Sequence, residues 1–246
     1  MKKILGIIPA RYASTRFPGK PLADINGRSM IMRVYDQARK ANCLEDVVVA
    51  TDDERIANHV AMAGGKVAMT DPEHPSGTDR CREAMDKHGG DYDYVINIQG
   101  DEPFIEPAQI DTLGGLLDGQ TELATLIRQI QDEEKLFSPN VVKVVTDIEG
   151  HALYFSRSPI PYCRGLENQE WMTVHDYYFH VGIYAYRTDV LREITRLKPA
   201  SLEKTESLEQ LRWLQNGYRI RTAVTNLDTH GIDTPEDLEK MKKIFG

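Results

Sequence analysis

A loop near the start of the chain carries three positive charges. Arg11, Arg16 and Lys20 follow one another at intervals of five and four residues within LGIIPARYASTRFPGKPL, residues 5–22. An arginine offers a planar fork to phosphate oxygens, and a lysine offers a compact point charge. The loop therefore predicts a triphosphate site rather than a solvated surface loop with incidental cations. Small residues nearby would let backbone N–H groups approach a ligand; they are Ala10, Ala13, Ser14 and Gly19.

This loop differs from the two common phosphate-binding motifs. It matches neither G-x-G-x-x-G, the dinucleotide fingerprint, nor G-x-x-x-x-G-K-[ST], the P-loop. Its position supports the phosphate interpretation, because it directly follows the first strand-like run. Proteins with a parallel sheet bind ligands at the carboxyl ends of their strands.

Two aspartates in separate segments are candidate ligands for a metal ion. Asp101 follows the strand-like part of YVINIQGDEPFI, residues 94–105, where Gly100 permits a tight turn. Mg²⁺ prefers one or two carboxylates together with phosphate oxygens and water. The alternative for Asp101 is a turn residue that hydrogen-bonds its own backbone. Asp233 lies one residue outside the helix start at Thr234, so the cap leaves it unexplained and free to share a metal with Asp101.

The stretch HPSGTDR, residues 74–80, places hydroxyl and small residues directly before a predicted helix. A helix N-terminus favours a polar or anionic partner. We expect Ser76 or Thr78 to be a plain N-cap. Gly77 and Arg80 are then left to approach a base or a ribose.

Two groups of polar residues in the second half are weaker candidates on spacing alone: Arg157, His180 and Tyr184, and then Glu209 and Gln210. His180 and Tyr184 stand on one face of a strand, because side chains alternate with period two, and both can point into one cleft. The alternative for His180 is a structural histidine. For Glu209 and Gln210 the alternative is an exposed helix face beside a buried leucine stripe.

Composition narrows the classes of function. The chain has 246 residues, of which 41% are hydrophobic, and this suits one globular domain with a modest extension. A net charge of -8 argues against nucleic-acid binding, which depends on clustered Lys and Arg. Cys43, Cys81 and Cys163 show neither a disulfide framework nor zinc-ligand spacing, as is typical of a reducing compartment. Because Pro9 and Arg11 cut the apolar start, and no stretch reaches the ~20 apolar residues of a membrane span, we expect a soluble cytoplasmic protein.

The hydrophobic pattern of the first half predicts an α/β fold. Strand-like runs alternate with amphipathic segments, which indicates a largely parallel sheet covered by helices. The cationic loop follows the first strand at the edge where such sheets bind ligands. The predicted strands are Ile4–Ile8, Val47–Ala50, Lys66–Met69 and Tyr94–Ile98, and the predicted helices are Met30–Ala41, Glu54–Ala63 and Asp79–Lys87.

The second half is less regular. Val141–Thr146 and Ala152–Ser156 predict an antiparallel hairpin that turns at Gly150. Residues 158–176 lack a period and are rich in turn formers, which is typical of an excursion from the sheet such as a dimer arm. The remaining predictions are a strand over YFHVGIYAYR, a helix at about 205–216 that Gly217 closes, and a helix at 235–245.

Eight motifs occur in order along nearly the whole chain: IIPARYASTRFPGKPL, HPSGTDR, INIQGDEP, NVVKVV, ALYFSRSPIP, HVGIYAYR, SLEQLRWL and GIDTPEDL. Together they resemble the 3-deoxy-manno-octulosonate cytidylyltransferases, or CMP-Kdo synthetases, of the sugar nucleotidyltransferase superfamily. The resemblance implies a Rossmann-like nucleotidyltransferase fold, with a mixed, mostly parallel central sheet flanked by helices. It also implies a single cytidylyltransferase domain over residues 1–246, in which residues 158–176 protrude and join two subunits in a homodimer.

The resemblance implies transfer of CMP from CTP to the anomeric hydroxyl of 3-deoxy-D-manno-octulosonate (Kdo). The products would be CMP-Kdo, used in lipopolysaccharide biosynthesis, and pyrophosphate. Lys20, Arg16, Asp101 and Asp233 would then be the catalytic residues. By the family pattern, the triphosphate would be held by Arg11, Arg16 and Lys20, and the nucleoside by Ser76, Gly77, Arg80 and Gln99. A Mg²⁺ ion would be held by Asp101 and Asp233. The sugar would be held by Arg157, His180, Tyr184, Glu209 and Gln210.

This chemistry explains the charge of the first loop. As the sugar hydroxyl attacks the α-phosphorus in line, negative charge builds on the departing pyrophosphate, and the cations neutralise it. Mg²⁺ would lower the pKa of the attacking hydroxyl, so no strong protein base is needed. Two alternatives are a related acid sugar, such as 8-amino-Kdo or sialic acid, and a non-catalytic nucleotide sensor. A sensor would be expected to have lost a metal carboxylate, whereas Asp101 and Asp233 are both present.

Overall fold

The computed structural model describes residues 2–13, 16–228 and 230–244, so Ser14 of the cationic loop lies outside the described part. The strands are β1 Ile4–Ala10, β2 Asp24–Ile25, β3 Arg28–Ser29, β4 Asp46–Thr51, β5 Val67–Met69, β6 Tyr94–Asn97, β7 Leu123–Gln129, β8 Lys143–Thr146, β9 Ala152–Ser156, β10 Tyr178–Arg187 and β11 Ile220–Val224. The helices are α1 Met30–Ala38, α2 Glu54–Met62, α3 Gly77–His88, α4 Pro107–Gly114, α5 Glu133–Phe137, α6 Trp171–Val174, α7 Thr188–Ile194, α8 Ser201–Glu206, α9 Gln210–Gln215 and α10 Pro235–Ile244.

A mixed sheet runs through the molecule in the order β11-β7-β10-β6-β1-β4-β5. β1 pairs in parallel with β4 and β6, β4 with β5, and β7 with β11. β10 runs antiparallel to both β6 and β7, and the hairpin of β8 and β9 extends the sheet from the start of β10. The predicted mostly parallel α/β sheet is confirmed, with β10 as its reversed central strand.

Helices cover both faces of the sheet, because its inner strands are apolar on both sides. Along β1, Ile4 and Ile8 face a core built with α1, α2 and α4. Leu5 and Ile7 face the opposite core, built with α3, α7 and α9. A strand buried on both faces appears in the sequence as a continuous apolar run, and this explains the uninterrupted start of the chain.

Capping residues set the helix starts. The Ser76 side chain accepts a hydrogen bond from the Asp79 backbone N–H, so α3 begins at Gly77, two residues before the predicted start. The Thr234 side chain accepts from the Asp237 N–H and begins α10 as predicted. No helix within the described ranges is long and apolar enough to cross a membrane.

Residues 158–176 contain a 3₁₀ turn, Asn168–Glu170, followed by α6, and contribute no strand to the described sheet. Trp171 is buried and stacks near Tyr177, so the segment is anchored on a small core of its own. Tyr162 and Val174, by contrast, are 71% and 60% exposed. The predicted excursion from the sheet is therefore present as an anchored segment with an apolar outer surface.

The single helix predicted at about 205–216 is wrong. Ser207 adopts φ 53°, in the left-handed region, and ends α8 after Glu206; α9 begins only at Gln210. Arg212 of α9 ties the two helices together through a hydrogen bond of 2.8 Å from Nε to Oε2 of Glu203. Gly217, at φ 86°, follows the end of α9 as predicted.

Replacing the buried acid of this pair tests its contribution to stability. Glu203→Gln should lower the free energy of unfolding by about 1–3 kcal/mol near neutral pH, since Arg212 would lose its charged partner. The hydrogen bond from Arg212 holds the pKa of Glu203 below its ordinary value in the folded chain. The contribution is therefore present above the unfolded-state pKa and is lost as pH falls through the folded value. Urea unfolding of both chains at neutral and acidic pH measures it.

An exposed ion pair provides the control. Glu239 pairs with Lys242 on the surface of α10, and its side chain is 64% exposed, so Glu239→Gln should change stability by no more than about 0.5 kcal/mol. An equal loss from Glu203→Gln at neutral and acidic pH would contradict the role of the charge.

Candidate active site

A cavity of about 360 Å³ opens at the carboxyl ends of β1 and β6. The two strands are neighbours in the sheet, so the loops that follow them meet above its edge. Its walls therefore come from the cationic loop and from the turn after β6. They include Pro9, Arg11, Arg16, Lys20, Gln99 and Asp101.

Two glycines allow the walls to approach one another. A Cβ on Gly100 would lie 2.7 Å from the backbone oxygen of Pro9, so a side chain there would force the turn away from β1. Gly19 adopts φ 74°, and its N–H donates to the carbonyl of Tyr12 at 2.9 Å, which closes the cationic loop. The loop is thus a closed turn rather than an open excursion.

The three predicted phosphate cations lie around this cavity with different partners. Arg11 donates to the backbone carbonyl of His74, at the start of the HPSGTDR stretch. Arg16 is 66% exposed and forms an ion pair with Asp233 at 3.1 Å. Lys20 is only 14% exposed. The structure therefore brings the cationic loop and the two predicted metal aspartates together.

Lys20 lies between the two aspartates. Its Nζ is 2.8 Å from Oδ2 of Asp101 and 3.4 Å from Oδ1 of Asp233, and it donates to the Ile232 carbonyl at 3.0 Å. The Ile232 backbone N–H donates to the carbonyl of Asp101 at 2.9 Å, and its side chain is fully buried. This backbone bond brings Asp233 close to Asp101, where its carboxylate contacts Lys20 and Arg16. Its role as a metal ligand stays a prediction.

Glu102 is a third carboxyl group at this edge of the sheet. Burial, and to a lesser extent the neighbouring charge of Asp101, raises the pKa of Glu102 to about 7. Glu102 is therefore partly neutral near pH 7. The two aspartates carry most of the negative charge that a cation would meet.

The first turn of α3 forms the neighbouring wall. A Cβ on Gly77 would lie 3.6 Å from Cγ of Pro9 and 3.8 Å from Nδ2 of Asn97, so this helix start packs on the ends of β1 and β6. The Ser76 hydroxyl donates to Oδ2 of Asp79 at 2.6 Å. Ser76 and Gly77 thus lie beside the cavity, as a role near the nucleoside requires.

Arg80 is fully buried instead of lining the open cavity. Its Nη1 contacts Oδ1 of Asp52 at 3.3 Å and donates to the hydroxyl of Thr70. Burial lowers the pKa of Arg80. Its Nε and Nη2 have no hydrogen-bond partner among the described residues. A contact between Arg80 and the nucleoside stays a prediction.

Gln99 joins β6 to an irregularity in β10. Its Nε2 donates to the Gly182 carbonyl at 2.7 Å, where the register of β10 on β7 shifts between Val181 and Tyr184. The Thr125 hydroxyl donates to the Ile183 carbonyl at 2.7 Å in the same bulge. The bulge is held from both neighbouring strands, as is common next to functional sites.

The Thr125 hydroxyl also fixes the tautomer of His180. Its one proton is committed to a backbone carbonyl, so the 3.0 Å contact with His180 must run from Nε2–H of the histidine to Oγ1. Burial lowers the pKa of His180 to about 4, which keeps the ring neutral. Its Nδ1 is therefore a hydrogen-bond acceptor.

Tyr184 lies on the same face as His180, as predicted, with the ring centroids 5.0 Å apart. Its hydroxyl is buried and has no hydrogen-bond partner within the described chain, and the same holds for Nε1 of Trp213. The two rings meet edge to face at 5.2 Å. Burial raises the pKa of Tyr184 well above its usual value, so the hydroxyl stays protonated and can donate.

Glu209 and Gln210 do not form an exposed helix face. Gln210 is buried, and the Glu209 side chain is 28% exposed. Oε2 of Glu209 accepts a hydrogen bond of 2.7 Å from the Thr78 hydroxyl. The structure thus brings Glu209 to the first turn of α3, next to Gly77.

Arg157, which was predicted to contact the sugar, makes its hydrogen bonds at the end of α8. Its guanidinium donates to the carbonyls of Glu206 at 2.7 Å and Pro139 at 3.0 Å, so it closes the end of α8. The fully buried Lys143 donates to the Arg157 carbonyl and so supports the chain at this point. Its predicted role near the sugar is not visible in these contacts.

A larger cavity, of about 610 Å³, lies at the opposite edge of the sheet, near the starts of β7 and β11. Its arginines, Arg187, Arg219 and Arg221, pair with carboxylates at 2.7–3.3 Å, so their charge is already balanced. Arg219 also lies against a neighbouring group of potential metal ligands, namely Asp147, Glu149 and His151. The cations and the metal carboxylate predicted from the sequence, Arg11, Arg16, Lys20 and Asp101, line the smaller cavity instead.

Sequence reasoning missed Thr125 and the second role of the HPSGTDR stretch. Thr78 was expected only as a possible N-cap, whereas Ser76 caps α3 and leaves Thr78 free to reach Glu209. The sequence did contain a local signal for this second role, because Ser76 and Thr78 are two hydroxyl residues at a helix start that needs only one cap. For Thr125 no local signal exists, because its partners come from β10.

Comparison with known proteins agrees with this geometry. The sequence pattern of the cytidylyltransferase family matches residues 5–221. A 3-deoxy-manno-octulosonate cytidylyltransferase from Cytophaga hutchinsonii is 59% identical over 96% of this chain and 94% of its own. One of the same name from Parabacteroides distasonis is 56% identical over 98% and 97%.

Solved structures share the architecture. One described as CMP:2-keto-3-deoxy-manno-octonic acid synthetase complexed with CTP has a TM-score of 0.91 and 45% identity, covering 99% of this chain and 98% of that one. A cytidylyltransferase from Leptospira borgpetersenii, at 17% identity and TM-score 0.62, shares the fold over 98% of this chain and 86% of its own. With the cationic loop, the paired aspartates and full-length identity above one half, the chain belongs to the 3-deoxy-manno-octulosonate cytidylyltransferase family.

Proposed function

We propose that this chain transfers CMP from CTP to the anomeric hydroxyl of Kdo and releases pyrophosphate. The observation that carries the proposal is the meeting of Lys20 with Asp101 and Asp233 beside the cationic loop. It places fixed positive charge and a carboxylate pair at one edge of the sheet. The names of the relatives described above support CTP and Kdo as the two substrates.

On the nucleotide side, the chain supplies charge and backbone. Arg11, Arg16 and Lys20 line the cavity and would neutralise the β- and γ-phosphates as pyrophosphate departs. Ser76, Gly77, Arg80 and Gln99 would surround the nucleoside. Gly77 fits this role because its missing Cβ leaves the helix N-terminus open beside Pro9.

Asp101 and Asp233 would hold Mg²⁺. The fit rests on the donor set, since both carboxylates already converge on one cationic group, the ammonium of Lys20. Two carboxylates, completed by phosphate oxygens and water, are the coordination that Mg²⁺ prefers. When bound, the ion would polarise the α-phosphate and lower the pKa of the attacking hydroxyl. Lys20 would then turn from the aspartates toward the phosphates.

On the sugar side, the chain supplies neutral and acidic hydrogen-bond partners. The proposed group is Arg157, His180, Tyr184, Glu209 and Gln210. His180 would accept a hydrogen bond from a sugar hydroxyl at Nδ1, and the Tyr184 hydroxyl would donate one. Glu209 would accept from a second hydroxyl. Binding would thereby satisfy the Tyr184 hydroxyl, which is buried without a partner among the described residues.

We also propose that residues 1–246 act as one cytidylyltransferase domain and that the chain is a homodimer. The sheet supports the first proposal, because strands from both halves of the chain form one continuous sheet that is joined where β10 pairs with β6. The exposed Tyr162 and Val174 on the anchored segment 158–176 support the second, since they offer apolar surface for a partner subunit.

Pyrophosphate release tests the reaction and the sugar together. The chain is incubated with CTP and Mg²⁺ and with Kdo, 8-amino-Kdo or sialic acid, and EDTA serves as the control. We expect metal-dependent release with Kdo far above the other two. If pyrophosphate is released only with a different acid sugar, the assignment of the nucleotide site is kept and the assignment of the sugar residues is wrong. Absence of release with all three would favour the nucleotide sensor.

Asp101→Asn tests the proposed metal carboxylate. We expect kcat to fall at least about a hundredfold, because metal stabilisation of the transition state is worth several kcal/mol. CTP affinity, measured by calorimetry, should change much less, because the cations of the loop remain. Asp36→Asn is the matched control, as Asp36 pairs with Arg28 on the outer surface, and its kcat should stay unchanged. Intact turnover in Asp101→Asn would remove Asp101 from the mechanism.

Charge on the exposed segment tests the homodimer. Tyr162→Glu should shift the mass measured by light scattering from two chains toward one, because a carboxylate would be buried in the interface. Ile148→Glu, at a fully exposed apolar position in the turn between β8 and β9, should leave the mass unchanged. A parent chain that is monomeric at all concentrations would refute the proposal.

A further inference from the structure

Thr78 is a buried hydroxyl residue that the roles described so far leave unused. It lies in the first turn of α3 and is 3% exposed. Ser76 already caps this helix, so the cap does not require the Thr78 hydroxyl. Its Oγ1 instead lies 2.7 Å from Oε2 of Glu209, a residue 131 positions further along the chain.

The hydrogen bond to Glu209 has a defined direction. An ionised carboxylate only accepts, so the Thr78 hydroxyl must donate its single proton to it. The 3.4 Å contact between Thr78 and the Tyr186 hydroxyl must then run from Tyr186 to Thr78. Asn97 in turn donates from Nδ2 to the Tyr186 hydroxyl at 3.4 Å.

These contacts form a chain of donors that starts on the central strand β6 and ends at the carboxylate. Each member donates toward Glu209, and successive hydrogen bonds polarise one another in the same sense. Asn97 and Thr78 are buried, so bulk water does not replace the bonds. The chain therefore fixes one oxygen of Glu209.

The other oxygen of Glu209 stays available for a ligand. Oε1 is 3.9 Å from Nη2 of Arg212, which is too long for a hydrogen bond, and the side chain is 28% exposed. Arg212 is directed mainly to Glu203. Oε2 thus anchors the carboxylate on Thr78, at the helix start that packs on Pro9.

We propose that Thr78 is a positioning residue for the sugar: its hydroxyl orients Glu209 so that Oε1 accepts a hydroxyl of the acid sugar. The proposal rests on the function proposed above, in which Glu209 contacts the sugar. It links the HPSGTDR stretch, which the nucleotide uses, to the selection of the second substrate. One helical turn then serves both sites.

The electrostatic surroundings of Glu209 indicate how loss of the bond would be seen. Burial raises the pKa of Glu209; the hydrogen bond from Thr78, the nearby Ser76 hydroxyl and the charge of Arg212 oppose this, and the charge of Asp79 adds to it. The remaining titratable groups that face it, Tyr184, Tyr186 and Cys81, are buried and neutral. Without the Thr78 hydroxyl, the pKa of Glu209 rises further, and a higher pH is needed to ionise it.

The test compares Thr78→Val, which keeps the shape and removes the hydroxyl, with Thr78→Ser, which keeps the hydroxyl. In Thr78→Val we expect the KM for Kdo to rise about ten- to hundredfold, the range for losing a hydrogen bond to a charged group. The KM for CTP should stay near that of the parent chain. The acidic limb of the kcat/KM profile for Kdo should move to higher pH. Thr78→Ser should restore both quantities.

A double-mutant cycle with Glu209→Gln shows whether Thr78 acts through Glu209. We expect Thr78→Val to cost little further in the Glu209→Gln background, because the two groups act as one unit. Equal losses in both backgrounds, or equal rises in the KM of both substrates, would overturn the proposal. So would an unchanged pH profile in Thr78→Val.

Two further variants guard against a folding defect. Tyr186→Phe removes the hydroxyl behind Thr78 but keeps the ring stack with Tyr184, and it should shift the same two quantities in the same direction by less. Thr195→Val removes a hydroxyl that bonds only backbone carbonyls on α7 and should change neither. Failure of the proposed function would appear differently, as a parent chain that makes no CMP-Kdo.

Discussion

An ammonium held between two carboxylates is the interaction on which the rest of the site depends. Lys20 comes from the loop after β1, Asp101 from the turn after β6, and Asp233 from the approach to α10. Two carboxylates brought this close would repel one another without a cation between them. The Ile232–Asp101 backbone hydrogen bond and the Gly100–Pro9 approach set the spacing, and the lysine charge makes the arrangement favourable. The need to balance these two negative charges therefore holds together the loop after β1, the turn after β6 and the start of α10.

The other half of the site relies on oriented hydrogen bonds, to neutral groups and to the Glu209 carboxylate, and not on a cluster of cations. The bulge in β10 is held by Gln99 from β6 and by Thr125 from β7, and the same threonine determines which nitrogen of His180 carries the proton. Rigid donors and acceptors of this kind distinguish one polyhydroxylated sugar from another, because a mismatched hydroxyl leaves a buried partner unsatisfied. In the proposed function, the cations neutralise the triphosphate, a group that does not distinguish one nucleotide from another.

The sequence allowed the fold class and much of the site to be predicted, for reasons that differ between residues. β1 and α3 were visible because an apolar run and a capping serine are local signals. The bend at Ser207 was missed, because its left-handed conformation is stabilised by packing of Leu208 and by the Arg212–Glu203 bond, not by a glycine. The donors that orient His180 and Glu209 were also missed, since strand pairing and helix packing bring them together over long separations. Burial of Arg80 likewise depends on Asp52, which no spacing rule connects to it.

The distance in sequence between the partners of Lys20 has a consequence for how the protein is made. Asp233 lies 213 residues after Lys20, and the ribosome adds residues at ~5–20 per second. β1, β4 and β6 emerge early and can pair before the last carboxylate has been translated. The nascent chain can thus assemble its sheet and the cationic loop well before it can assemble a site competent for both substrates. The contacts of Lys20 are therefore completed only after Asp233 and the start of α10 have been made, long after the first strands can pair.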